Sequence, residues 1–130
     1  MTKGQVEAEI SNAIITFEKE HMGRGPLEAR TYVVQDMLLI RLKGVLTPAE
    51  SHLAKDIEGA QLVKQVRTKL LEDSREFLEP VIADITGCRI ESFHSDISTK
   101  TGERVIVITV SEDLEGKFKS SRKRIEISSL

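Results

Sequence analysis

The chain has 130 residues, of which 39% are hydrophobic and 31% are charged, and its formal net charge is −2. This length is typical of one domain, and the interspersed charge excludes an integral membrane protein. With one cysteine, Cys88, the chain can form no internal disulfide, and no Cys/His pair has the spacing of a zinc site. The first ten residues carry Glu7 and Glu9 and lack a secretory signal, so we expect a cytoplasmic protein.

The charge is distributed unevenly along the chain. Residues 117–130 carry a net +4, which leaves −6 on residues 1–116. We therefore predict a single α+β domain over 1–116 and a basic, flexible C-terminal tail over 117–130. The tail is interpreted as a solvated terminus, and a weak contact with an anionic surface or with the acidic body is the alternative. The acidic body and 4% of aromatic residues exclude nucleic acid as the expected partner.

Residues 5–21 place apolar side chains at steps of three and four, which predicts an amphipathic helix with Glu18 on its polar side. Gly23 is expected to end this helix, because glycine readily adopts the left-handed conformation found at helix ends. Two strands follow, Leu27–Val34 and Met37–Lys43. The two residues between them are short enough for an antiparallel hairpin.

A second helical region begins at Thr47, which can cap a short helix over 47–55 together with Glu50. From Gly59 onward, helical spacing predicts the principal core helix, with Pro80 introducing a kink or a break. The residues assigned to its core face are Val63, Val66, Leu70, Phe77 and Val81.

The chain then returns to strand patterns, over Cys88–Ile97 and Arg104–Ser111. Gly102 is expected to supply the positive φ of the connecting loop. The order is α-ββ-αα-ββ. It predicts an α+β fold, with a mostly antiparallel four-stranded sheet, two main helices and one short helix.

Two strands of this sheet are apolar on both faces. In Met37–Lys43 and Arg104–Ser111, apolar residues occupy both odd-numbered and even-numbered positions, which point to opposite faces of the sheet. An antiparallel sheet with helices on one side normally alternates apolar and polar residues, so the second face needs a cover. A second subunit is one cover, which predicts a homodimer; the alternative places the two main helices on opposite faces of the sheet.

The sequence contains no recognisable catalytic pattern, so we predict no enzyme activity and no cofactor. His94 and Asp96 would share one side of a strand but form at most half a metal site. Arg24, between two glycines, is a candidate contact for an anion or for a partner's carboxylate. The candidate interaction or anion contacts are Arg24, Thr47, Glu50, His94, Asp96, Lys100 and Arg104.

Three segments, Gly23–Pro26, Asp36–Glu50 and His94–Val107, resemble a bacterial family of small proteins. This is the MpsC-like family, described as a component of a sodium-translocating, membrane-potential-generating system. The resemblance covers roughly residues 5–112. It implies a soluble accessory protein linked to sodium or inorganic-carbon uptake, and it implies no catalytic residue.

The sequence therefore favours a non-catalytic accessory or regulatory protein that forms a homodimer and binds a membrane-protein partner. The segments expected to meet that partner are the Gly23–Pro26 turn, the Thr47–Glu50 helix start and the Lys100–Glu103 loop. Through such a partner the chain would be peripheral to the membrane. The alternative is a domain that binds a small anion or a metabolite, with Arg24, His94 and Arg104 as contacts.

Overall fold

The computed structural model describes residues 1–119, and within them helices and strands follow the predicted order. The elements are helix α1 (Lys3–Met22), strands β1 (Glu28–Val34) and β2 (Met37–Lys43), helices α2 (Pro48–Leu53) and α3 (Ile57–Thr86), and strands β3 (Ile90–Ile97) and β4 (Arg104–Val110). A further helical segment covers 114–119. The predicted α+β class, with its four-stranded antiparallel sheet, two main helices and one short helix, is confirmed.

The turns form where the local sequence predicts them. Gln35 has φ 56° in the two-residue hairpin between β1 and β2, and Gly102 has φ 73° in the β3–β4 loop. Gly23 ends α1 in the left-handed conformation, with φ 93°. Because left-handed φ values favour glycine, Gly23 and Gly102 were sufficient to place these two chain reversals.

The sheet has the strand order β1-β2-β4-β3, and all neighbouring strands are antiparallel. Both long helices pack on the same face of this sheet. Alternate residues of the strands point to that face and form the core with the helices: Val33, Leu38, Ile40, Leu42, Ile106, Ile108 and Val110. The alternative with helices on opposite faces is therefore wrong, and the described residues leave the second face of the sheet uncovered.

We call this second face the open sheet face. It presents apolar side chains that are exposed or half-buried: Tyr32, Val34, Met37, Leu39, Val105 and Val107.

Helix α3 runs without interruption through Pro80, so the expected break is absent. Proline removes one backbone donor and crowds the carbonyl four residues earlier, here that of Glu76. Pro80 and Glu76 are both exposed. Water can therefore satisfy the freed carbonyl, and the helix continues.

The core face of α3 also differs from the prediction. Of the five residues assigned to it, only Val63 is buried. The buried stripe consists of Val63, Arg67, Leu71, Ser74, Leu78, Ile82 and Thr86. Four of these residues each lie one position after a predicted core residue: Arg67, Leu71, Leu78 and Ile82. The other predicted core residues are exposed; with Leu62 they form a continuous line, here called the α3 ridge: Leu62, Val66, Leu70, Phe77 and Val81.

The predicted domain end at residue 116 falls inside the helical segment 114–119. Leu114 is buried, and Phe118 packs against the core. The first residues of the basic segment, 117–119, therefore belong to this helical segment. Its remainder, 120–130, which includes Arg122, Lys123 and Arg124, lies outside the described residues.

Candidate functional site

Four charged residues meet in the interior, where α1, α2, α3 and β4 converge; we call them the charge cluster (Glu18, Glu50, Arg67 and Arg104). Glu18 is 1% exposed, Arg67 2% and Arg104 1%. Glu50, from the first turn of α2, is half-buried at the rim. Charges buried to this degree need partners, because an isolated ion is strongly disfavoured away from water.

Arg67 lies at the centre of the charge cluster. Its Nε and Nη2 donate to the two carboxylate oxygens of Glu50, at 2.7 and 2.6 Å. Its Nη1 donates to Glu18 Oε2 at 3.2 Å, and Nη2 also donates to the Val45 carbonyl at 2.8 Å. The bidentate pair fixes the orientation of the guanidinium, so α2 is tied to the middle of α3.

Arg104 closes the cluster from the sheet. Its Nη1 donates to Glu18 Oε1 at 3.2 Å, Nη2 to the Arg67 carbonyl at 3.2 Å and Nε to Ser95 Oγ at 3.2 Å. Each carboxylate oxygen of Glu18 thus accepts from a different arginine. Two positive and two negative charges balance within one hydrogen-bonded group.

The pKa shifts reflect the competition between burial and pairing. Burial raises the pKa of Glu18, and the arginines Arg104 and Arg67 oppose that shift. Burial also lowers the pKa of Arg104, an effect that Glu18 opposes. For Glu50 the pairing dominates: burial alone would raise its pKa, but the bonds from Arg67 and the Thr47 N–H lower it to about 2.

The charge cluster holds elements together rather than receiving a ligand. Each guanidinium nitrogen of Arg67 and Arg104 donates to a protein acceptor. Thr47 and Glu50 form the predicted capping box at the start of α2, with reciprocal bonds of 3.2 and 3.0 Å. Three of the candidate contacts, Thr47, Glu50 and Arg104, are thus joined by one network, and Arg104 reaches the interior instead of the surface.

Sequence reasoning missed Glu18 and Arg67 as members of this network. Glu18 was assigned to the polar side of α1, yet it follows Ile10 and Ile14 at steps of four. Arg67 similarly follows Val63 and precedes Leu71 at steps of four. One signal could have identified the pair: an acidic residue lies on the apolar stripe of one helix, and a basic residue lies on the apolar stripe of another.

The other candidates lie at the surface. His94 and Asp96 are both exposed on β3, and Asp96 pairs with Lys64 at 3.4 Å. Lys100 is exposed in the β3–β4 loop, beside a shallow depression of about 370 Å³. Arg24 is half-buried; its Nη2 donates to the Gly44 carbonyl at 2.7 Å, and its buried Nε has no acceptor among the described residues.

Two predicted contact segments, 23–26 and 100–103, meet the turn 44–47, which leads into the predicted Thr47–Glu50 helix start, at one end of the sheet that we call the loop end. The Arg24 bond to Gly44 joins the turn 23–26 to the turn 44–47, and the Val45 N–H donates to the Gly102 carbonyl at 3.1 Å to join the turn 44–47 to 100–103. Leu27 projects beside them and is 81% exposed. The loop end therefore combines an exposed apolar residue with surface charges from segments distant in sequence.

The edges of the sheet are protected against pairing with another strand. On β1, the Val33 N–H donates to Glu7 Oε2 of α1 at 2.8 Å. On β3, the Ile97 N–H donates to the side chain of Asp96 at 2.8 Å, and an irregularity between Ile90 and Ser92 interrupts the pairing. Occupied donors and bulges are common devices against edge-to-edge association.

Residues 1–119 contain no group of three or more His, Cys, Asp or Glu residues placed to hold a metal ion. Within the same range, no helix has both the length and the hydropathy needed to cross a bilayer.

Comparison with known proteins identifies the family. Residues 2–112 match the family model described as "Na+-translocating membrane potential-generating system (MpsC)". The chain belongs to the MpsC family. The uncharacterized protein YbcI of Bacillus subtilis (strain 168) is 44% identical over 114 residues, which cover 88% of this chain and 92% of YbcI.

A more distant relative in the same organism is the uncharacterized protein YrhF. It is 27% identical over 108 residues, which cover 82% of this chain and 88% of YrhF. No solved structure matches the chain. The resemblance inferred from the three sequence segments is thus confirmed, and family membership links the chain to a membrane system without assigning a reaction.

Proposed function

We propose that this protein is a non-catalytic, homodimeric accessory subunit that binds a membrane component of a sodium-translocating or inorganic-carbon uptake system. The family description supports the kind of system. The observation that carries the docking role is the loop end, where three turns and the exposed Leu27 converge. In this proposal the loop end contacts the membrane partner.

The chemistry of the loop end suits a protein partner. Exposed apolar residues surrounded by polar groups are typical of protein interfaces. Leu27 supplies the apolar contact, while Lys43 and Lys100 are exposed nearby and supply positive charge. The charge cluster lies directly behind, so the turn 44–47 is held by Arg67 through the Val45 carbonyl and presents a fixed shape.

Co-purification from native membranes tests this proposal. Tagged full-length protein should recover a membrane protein in gentle detergent, and a double variant Leu27→Asp, Lys100→Glu should lose it. Val34→Asp is the matched control, because Val34 is also exposed and apolar but lies at the opposite end of β1. Equal recovery by the double variant and the wild type would exclude the loop end as the docking surface.

A small-anion ligand is the second candidate for the same end. The Arg24 guanidinium favours it, because one of its nitrogens is buried without an acceptor in the described residues. A thermal-shift series with bicarbonate, phosphate and nucleotides should then raise Tm for the wild type and not for Arg24→Gln. No stabilisation of the wild type at millimolar concentrations would remove this candidate.

A further inference from the structure

Together with Asp73, the five residues of the α3 ridge have a spacing that reads the same in both directions. The four outer positions, Leu62, Val66, Phe77 and Val81, flank Leu70 and Asp73 at the centre. The steps from 62 to 81 are four, four, three, four and four residues, so they are symmetric about a point midway between Leu70 and Asp73. A twofold axis through this point superimposes each of these six positions on another of the six, with Leu70 on Asp73 at the centre.

We infer that the α3 ridge binds the α3 ridge of a second copy, antiparallel, about this axis. The register then places Leu62 opposite the partner copy's position 81 and Val66 opposite its position 77. Both contacts are aliphatic or aromatic, and both occur twice because of the symmetry. This inference rests on the homodimer of the proposed function and assigns it a surface.

The charges on the ridge fit the same register. Asp73 is the single acidic residue among the six symmetric positions, and Lys69 pairs with it at 3.0 Å within the helix. In the antiparallel pair, Lys69 of one copy lies between positions 73 and 76 of the other, which are both acidic. Lys69 of each copy thereby meets acidic residues of the other copy, and these opposite charges support the antiparallel register.

The neighbouring helix leaves room for this contact. Phe77 and Val81 border a crevice of about 320 Å³ between α1 and α3, and the opposite wall carries the small side chains Ala13 and Thr16. Small residues allow a second helix to approach closely. Phe77 stacks on His21 with the ring centroids 6.0 Å apart and is still 61% exposed, so a partner can contact its ring.

Other routes to a dimer are less favourable. Glu7 and the Asp96 side chain occupy edge donors of the sheet, which opposes strand-to-strand pairing. The open sheet face does carry apolar residues, but its neighbours Arg30 and Arg41 are exposed and lie opposite each other across β1 and β2. The ridge is the longer apolar surface: residues 62–81 extend for about 29 Å along the helix axis.

Disulfide trapping tests both the surface and the register. In a Cys88→Ala background, full-length Val66→Cys protein should cross-link to Phe77→Cys protein when the two are mixed and mildly oxidised. Neither protein should cross-link alone, because two copies of position 66 would be about 16 Å apart along the axis, beyond disulfide reach. Cross-linking of either variant alone would overturn the antiparallel register, and so would a mixture of the two variants that does not cross-link.

A charge substitution gives an independent readout. Val66→Glu should convert the dimer to a monomer in light scattering, whereas Val34→Glu, of similar exposure on the open sheet face, should leave it dimeric. Circular dichroism of both variants should match the wild type, since both positions are exposed. A dimer that survives Val66→Glu and dissociates with Val34→Glu would place the interface on the sheet, while the co-purification test of the loop end would remain valid.

Discussion

Two residues on opposite sides of helix α3 invert the usual distribution of polar and apolar side chains. Its inner side buries Arg67, which is 2% exposed, while its outer side leaves Val66 47% exposed. These two residues are adjacent in sequence. The difference shows that a charged side chain is buried when it has partners of fixed geometry, and that an apolar residue on a helix is not sufficient evidence of a core position.

The largest effect is expected on the inner side. Arg67→Met leaves Glu18 buried with one arginine fewer and removes the anchor of α2, so we expect a loss of about 3–5 kcal/mol in the free energy of unfolding. Urea denaturation at one protein concentration measures it. Arg30→Met is the control, because Arg30 is exposed on β1 and pairs with Glu28 at the surface. Its expected cost is below about 1 kcal/mol.

A double-mutant cycle measures how much of that lost stability comes from the interaction between Glu18 and Arg67. Glu18→Gln should be destabilising alone, because two buried arginines lose their shared carboxylate. Combined with Arg67→Met, it should cost less than the two single losses added together, with a coupling energy of about 1–3 kcal/mol. Simple additivity would mean that Glu18 and Arg67 do not stabilise each other.

The short-range signals predicted most of the fold. The capping box at Thr47 and the left-handed residues at Gly23 and Gly102 depend only on nearby residues, so the sequence was enough to place them. The sheet order and the shared face of the two helices depend on distant contacts, and the sequence left them open. For the same reason, the charge cluster could be seen only in part.

The prediction of which side of α3 faces the core was wrong for a specific physical reason. A hydrophobic wheel counts Arg67 and Ser74 as polar and therefore turns the predicted core toward Val66 and Phe77. In the structure, Glu18 and Glu50 neutralise Arg67, so the stripe that contains it can be buried. The wheel carries no information about partners on other helices.

A smaller effect is expected at the rim of the charge cluster. Thr47→Ala removes the hydroxyl that accepts from the Glu50 N–H, and loss of such a cap costs about 1 kcal/mol. Thermal unfolding should show the corresponding fall in Tm. Ser51→Ala in the same helix should change stability by less than about 0.5 kcal/mol, because Ser51 is exposed. Equal effects of the two substitutions would contradict the capping role.

The pH dependence of the cluster tests Glu50. Its pKa in the folded protein is about 2, below the ordinary value of 4.5. The ionised carboxylate therefore contributes stability that is present above pH 4.5 and is lost as the pH falls toward 2. The stability difference between wild type and Glu50→Gln should shrink over this range. A difference that stays constant from pH 6 to about pH 2 would contradict the lowered pKa.

The smallest effect on stability is expected on the outer side of α3. Leu70→Gln replaces a partly exposed ridge residue, so monomer stability should change by less than about 0.5 kcal/mol when measured at high dilution. Dimer formation by the Leu70→Gln variant should weaken clearly, because position 70 lies next to the proposed twofold axis. A large loss of monomer stability would instead assign Leu70 to the core.

The claim that the outer side of α3 is an association surface is tested most directly by light scattering of the full-length protein at high concentration. We expect a particle of twice the 14.6 kDa chain mass for the wild type, and a particle of the single-chain mass for Val66→Glu under the same conditions. A wild-type protein that remains at the mass of one chain would contradict it.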